Sequence, residues 1–120
     1  MSAPELTTTV VRSYDGKRFR PVGTEPAGIA AYRQQDTLLT GTMSPCGDLL
    51  GGSLAGFADS EGVLDFAYTM ALKGGVVVAG LCRSTPAVDV DDQLHLIEHW
   101  TRLHPIQEEG VSWLVEVSAE

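Results

Sequence analysis

The feature that most constrains this chain is the alternation from Val63 to Leu72. There Leu64, Phe66, Tyr68, Met70 and Leu72 fall on one phase and Asp65, Ala67 and Thr69 on the other. A period of two belongs to an extended strand, whose successive side chains point to opposite faces. Turn residues bound the segment, Asp59-Ser60-Glu61-Gly62 before it and Lys73-Gly74-Gly75 after it, with glycine tolerating the positive φ that hairpins demand. Its neighbours are therefore expected to be antiparallel. The pattern recurs and predicts strands near Arg18–Val22, Ile29–Gln34, Leu38–Met43, Asp48–Ala58, Val63–Leu72, Val76–Ser84, Gln93–Leu103 and Val111–Val117. That makes about eight, the number at which an up-and-down sheet closes into a barrel and loses its exposed edges. Glycines within the strand-like stretches, at Gly41, Gly51, Gly52, Gly56 and Gly80, mark bends and bulges where a barrel turns its corners. The expected fold is all-β, a single antiparallel up-and-down β-barrel over residues 1–120, with residues 1–12 as a flexible or edge segment.

A chain of 120 residues holds one core and is short for a second domain. Its apolar stretches are broken by Gly, Asp or Ser within a few residues, well short of the roughly 20 a spanning helix needs. Met1 to Val10 lacks a basic region followed by an apolar run, so no secretory signal is expected and the expected location is cytoplasmic. Cys46 and Cys82 form no CxxC or Cys/His spacing, which argues for two reduced thiols over a zinc ribbon or a disulfide framework. The net charge of -8 disfavours nucleic acid and anionic membranes, both bound through Lys and Arg. The expected partner is a small-molecule ligand or substrate, a homodimer is left open, and no metal or organic cofactor is expected.

Asp91 to Leu103 can be read in two ways. As a helix, capped by Asp91 or Asp92, it would set His95-Leu96-Ile97-Glu98-His99 in the H-x-x-E-H pattern of inverted zinc peptidases, with both imidazoles on one face. As a strand it would part His95 from His99 by about 13 Å, too far to share one ion. The strand reading is preferred, because Leu94, Leu96 and Trp100 then share a face and the neighbouring segments are β. His95 and His99 are then expected to be solvated on the outer face.

Four short pieces occur in order: Tyr14-Asp15-Gly16-Lys17-Arg18-Phe19-Arg20, then Gly56-x-x-Asp59-x-x-Gly62-x-Leu64-Asp65-Phe66-x-Tyr68, then Gly80-x-Cys82-x-Ser84-x-Pro86, then Leu94-x-Leu96-x-Glu98-x-Trp100. In order and spacing they resemble a family of small bacterial calycin-like β-barrel proteins, many of which carry the label "N-acetylglutamate synthase". The resemblance implies a lipocalin-like closed barrel with a ligand-sized interior. The label itself is not carried over, because no Gly-rich loop leads into a helix that could hold the pyrophosphate of acetyl-coenzyme A. Three positions depart from the family pattern: Ala67 replaces a basic residue, Cys46-Gly47 a Gly-Gly turn, and Arg102 an aromatic.

In a barrel the face with most of the large apolar residues points inward, so the polar residues on that phase are informative. Glu98 shares its phase with Leu94, Leu96 and Trp100. Burial raises the pKa of such a carboxyl and suits it to acid–base work near neutral pH. Glu98 is the first candidate for a catalytic group and Tyr68 the second, while satisfaction of Glu98 by an internal Arg, Tyr or water is the structural alternative. Phe66, Trp100, Tyr32, Gln34, Met43 and Cys82 are the candidate ligand contacts, although a packed core would use the same residue types. Cys82 and Ser84 have no His on their phase to activate them. Arg83, on the opposite phase, is expected at a rim or paired with Asp65 outside. Three functions are compatible with this pattern: a cyclase or isomerase that folds an apolar substrate with Glu98 as acid or base, a non-catalytic binding or carrier protein, and a structural subunit whose barrel is filled.

Overall fold

The computed structural model describes residues 5–23 and 28–117. Met1 to Pro4, part of the expected flexible or edge segment, lie outside the described residues. The strands are β1 (Thr7–Thr8), β2 (Arg18–Pro21), β3 (Ala30–Gln35), β4 (Leu38–Met43), β5 (Leu49–Ala58), β6 (Leu64–Leu72), β7 (Val76–Val88), β8 (Leu94–His104) and β9 (Glu108–Glu116). There is no helix among the described residues. From β2 to β9 each strand pairs antiparallel with the next, and β2 also pairs with β9. Eight strands thus close on themselves, as the alternation predicts. At the seam Lys17 Nζ meets Glu116 Oε2 at 3.2 Å.

The strand boundaries differ from expectation mainly at β7, which runs past Pro86 to Val88. Proline disfavours strand interiors, but β6 ends opposite Ser84, and beyond it the Pro86 carbonyl accepts a hydrogen bond from Thr9 N–H. Its neighbours Ala87 and Val88 pair with the short strand β1, which has no alternation to signal it. The N-terminal segment therefore supplies an edge strand.

One end of the barrel is plugged. The chain from Thr9 to Lys17 crosses it, with Val11 N–H donating to the Glu61 carbonyl and the Tyr14 hydroxyl to the Gly62 carbonyl at 2.6 Å. Tyr14, Phe19 and Tyr32 are fully buried there, with ring centroids 5.3–6.2 Å apart, within the range of favourable aromatic pairs. Two of the loops at this end are similar Asx turns. Asp59 Oδ1 accepts the N–H groups of Glu61 and Val63, and Asp89 Oδ1 those of Asp91 and Gln93. These hydrogen bonds hold both carboxyls below their ordinary value.

The inward aromatics follow one rule. Tyr32, Phe66, Tyr68 and Trp100 stand directly opposite Gly41, Gly56, Gly80 and Gly110 on the adjacent strands. A Cβ on Gly80 would lie 2.6 Å from the Tyr68 hydroxyl, and one on Gly110 2.8 Å from Trp100 Cε2. The Tyr32, Tyr68 and Trp100 rings lie across the bare backbone of their neighbours, an arrangement known to compensate glycine in sheets. Bends do occur at two of the strand glycines, through register shifts at Leu49/Gly51 and Ala79/Gly80, but at Gly41 the requirement is room for the Tyr32 ring, and at Gly56 it is close approach of the neighbouring backbone at Asp65 and Phe66.

Gly110→Val should therefore force the Trp100 ring from its seat and cost about 1–3 kcal/mol, the usual range for overpacking. Urea unfolding followed by near-ultraviolet circular dichroism measures both effects. An unchanged midpoint and spectrum would show that the ring does not need that space.

Candidate functional site

Above the aromatic plug the barrel holds a cavity of about 310 Å³, so its interior is not filled by side chains. The strand registers set the residues around it in layers. Ser84, Glu98 and Ser112 are aligned across β7, β8 and β9, and Phe66, Cys82 and Trp100 across β6, β7 and β8. Toward the other end from the plug, Tyr68, Gly80 and Arg102 form the next row. The wall is mostly apolar, with Leu54, Met43 and Met70 among its members.

Of the residues singled out from sequence, Glu98, Tyr68, Trp100, Phe66, Tyr32, Met43 and Cys82 all border this cavity. Gln34 does not. It shares the phase of Tyr32 but lies one step closer to the plugged end, where its Oε1 accepts the Tyr14 N–H at 2.9 Å and its Nε2 donates to the Asp36 carbonyl. Alternation gives the face of a residue but not its depth, and the plug separates Gln34 from the interior.

His95 also departs from expectation. It is on the outer face of β8 but buried, with Nδ1 3.2 Å from the Gln93 carbonyl and 3.8 Å from Asp89 Oδ2. The Asx turn folds back over it, which strand phase could not show. His99 is exposed as expected. Because β8 is a strand, the helical spacing of the H-x-x-E-H pattern is not realised, and Glu98 faces the side opposite both imidazoles. Arg83 pairs with Asp65 outside the barrel, Nη1 lying 2.9 Å from Oδ2.

Glu98 Oε2 accepts long hydrogen bonds from Ser84 Oγ at 3.5 Å and Cys82 Sγ at 3.6 Å. Burial pushes its carboxyl from 4.5 up to about 7, against the smaller, opposing effect of these two donors. Burial and the nearby Glu98 push the Cys82 thiol up to about 12, so Cys82 is a thiol and not a thiolate near neutral pH. Burial also raises Tyr32 well above the ordinary phenol value. Tyr68 lies over Gly80, and its hydroxyl makes no hydrogen bond to Glu98 or to any other described residue. Trp100 Nε1 donates to Ser112 Oγ at 2.9 Å, which fixes the indole.

Arg102 was marked in the sequence only as a departure, yet it borders the cavity. Its guanidinium carbon sits 5.7 Å from the Trp100 ring centroid and its Nη1 3.0 Å from Glu108 Oε1. The signal that could have found it is its phase, since Glu98, Trp100 and Arg102 are two apart. Of the other departures, Ala67 is exposed on the outer face, and Cys46-Gly47 forms the tight turn between β4 and β5.

A closed antiparallel barrel with a ligand-sized, mostly apolar interior defines the calycin class of fold. The family model described as avidin-like protein matches residues 12–117, and the chain belongs to that family. No curated protein and no solved structure matches it. The calycin-like part of the sequence resemblance thus holds, while the label "N-acetylglutamate synthase" has no support in the matched family.

Two outcomes follow from the titrating groups. Glu98 ionises near 4.5 unfolded and near 7 folded, so the native state binds the proton more tightly between these values and loses stability as pH rises through them. Glu98→Gln removes this loss. Relative to the unsubstituted protein it should gain on the order of 2 kcal/mol between about pH 5 and about pH 8, read from melting midpoints at both. An equal difference at both pH values would mean that Glu98 is not buried as described. Both Cys46 and Cys82 are free, so two thiols should titrate after denaturation without reductant, and only Cys46 should alkylate readily in the native protein. Native alkylation of both at equal rates would contradict the buried placement of Cys82.

Proposed function

We propose that this protein binds a small, largely apolar molecule inside its barrel. The carrying observation is the apolar cavity of about 310 Å³, which falls at the lower end of the size range of small-molecule sites and has the usual few polar groups in its wall. Membership of the avidin-like family supports binding over catalysis as the primary role. Trp100, Phe66 and Tyr32 provide flat apolar contact, and Glu98, Tyr68 and Ser112 provide polar anchors.

One observation favours a second reading, in which the interior also catalyses a cyclisation or isomerisation. Glu98 titrates at about 7, where one group can both give and take a proton. Holding the ends of a flexible substrate together would supply the rest of such a rate enhancement. Binding is the more economical reading, because Tyr68 and Glu98 are not coupled by a hydrogen bond.

Filling the cavity tests the proposal. Ala30 borders the interior and is half-buried, so Ala30→Trp should occupy it while the rim and strands stay intact. Calorimetric titration with tert-butylbenzene, a neutral single-ring compound, should show binding to the unsubstituted protein and at least about tenfold weaker binding to the variant. A far-ultraviolet spectrum still dominated by β-structure shows that the variant is folded. Undiminished binding by a folded Ala30→Trp would place the compound elsewhere and remove the interior from the account.

A further inference from the structure

We propose that the ligand class of this cavity is an organic cation, an alkylated or aryl ammonium whose charged head lies beside Glu98 within the ring of aromatic side chains. This rests on the reading of the interior as a binding site and adds the chemistry of what enters.

The first observation is what faces the cavity. Tyr32, Phe66, Tyr68 and Trp100 border it, and Glu98 is the sole carboxyl among the described residues of its lining. A ring of aromatic faces attracts an ammonium through the negative face of each π-system, and quaternary ammonium recognition is the recurrent use of such cages. A carboxylate among the rings adds a full charge of the right sign. Trp100 already carries the guanidinium of Arg102 at 5.7 Å from its centroid, so its indole accepts a cation in this fold.

The second observation is that, among the described residues, no cation stands beside Glu98. From β7 it is faced by Cys82 and Ser84, both neutral, while Arg83 is turned outward to Asp65. From β9 it is faced by Ser112, whose hydroxyl already accepts the Trp100 N–H. Across the interior are the phenols of Tyr32 and Tyr68. On its own strand the nearest cation is Arg102, two rows toward the other end and held by Glu108 at 3.0 Å. Among the described residues no other cation borders the cavity. A desolvated carboxylate with only hydroxyl and thiol donors is costly, and a ligand cation supplies the missing charge.

The third is the sign of the whole molecule. With a net charge of -8, the protein's field favours approach of cations and opposes anions. An anionic ligand would have to displace Glu108 from Arg102 and then lie near Glu98. A neutral ligand without a hydrogen-bond donor would gain nothing from ionised Glu98. The raised carboxyl, titrating at about 7, agrees with a site that lacks its partner, and binding of a cation must lower it by linkage.

The test uses three compounds of one shape class: phenyltrimethylammonium, its neutral isostere tert-butylbenzene, and benzoate. Each is studied by calorimetry with the full chain at about pH 8.5 and about pH 5.5, on either side of the Glu98 titration. At the higher pH phenyltrimethylammonium should bind at least about tenfold more tightly than tert-butylbenzene, and benzoate more weakly than either. The cation's advantage should shrink at the lower pH as Glu98 takes up its proton, a measurement that requires no variant. Glu98→Gln, which matches the carboxylate in shape, should remove both the advantage and its pH dependence. If tert-butylbenzene binds as tightly as the cation, or benzoate binds best, the cation class is overturned while the binding site stands. If none of the three binds, both readings fall.

Discussion

The seating of an aromatic ring over a cross-strand glycine is the contact on which the rest of this structure depends. A barrel of eight strands is narrow enough for large inward side chains to fill it. Here the inward aromatics meet across the lumen only at the plugged end, where Tyr14, Phe19 and Tyr32 cluster. Farther up, Tyr68 and Trp100 each lie against the backbone of Gly80 or Gly110, and Phe66 stands opposite Gly56. The rings become part of the wall. The cavity is the volume they leave, and its aromatic lining follows from the same arrangement.

That arrangement also sets the chemistry of Glu98. With rings along the wall and a plug at one end, the polar partners within reach of its carboxylate are Ser84 and Cys82, at 3.5 and 3.6 Å. Both contacts are long for hydrogen bonds to an ionised oxygen, which are usually about 2.5–2.7 Å from a hydroxyl. They offset desolvation only in part. A group whose ionised form is so poorly matched by its surroundings weakens the fold at neutral and higher pH, and its presence is explained by an interior that receives something. The pair of Asp65 and Arg83, in which Nη1 donates to both carboxylate oxygens, shows the contrast. Exposed on the outer wall, it contributes little to stability.

How much of this could be read from the residues depended on whether the information was periodic. Strand phase alone placed Phe66, Tyr68, Cys82, Glu98 and Trp100 on the inner surface, because a register slip of one residue would have turned the whole set outward. Phase carries no depth, so Gln34 was assigned with Tyr32 although the plug lies between it and the cavity. Nor does phase report what folds over the outer wall, so His95 was expected in solvent although the Asp89 turn covers it. The glycines were visible, but their meaning was not. Only the register, which pairs Tyr32 with Gly41 and Tyr68 with Gly80, shows that they make room for rings as well as turning corners. Arg102 is in phase with Glu98, but the family resemblance, which implies an aromatic there, points away from a cation in the lining.

Arg102 and Glu98 together give the interior a direction. The plugged end supplies no exit, since Tyr14 is fully buried and tied to Gly62, so a ligand must enter past the row that contains Arg102. There the guanidinium is balanced by Glu108 and covers one face of Trp100. An entering cation meets a neutralised pair followed by aromatic faces and then an unbalanced carboxyl. An entering anion meets the same pair, then the same faces with their negative potential, and finally a like charge once Glu98 is ionised. The free-energy profile along the barrel axis therefore falls for one sign and rises for the other. This asymmetry arises from the order of residues along β8, in which Glu98, Trp100 and Arg102 occupy successive inward positions.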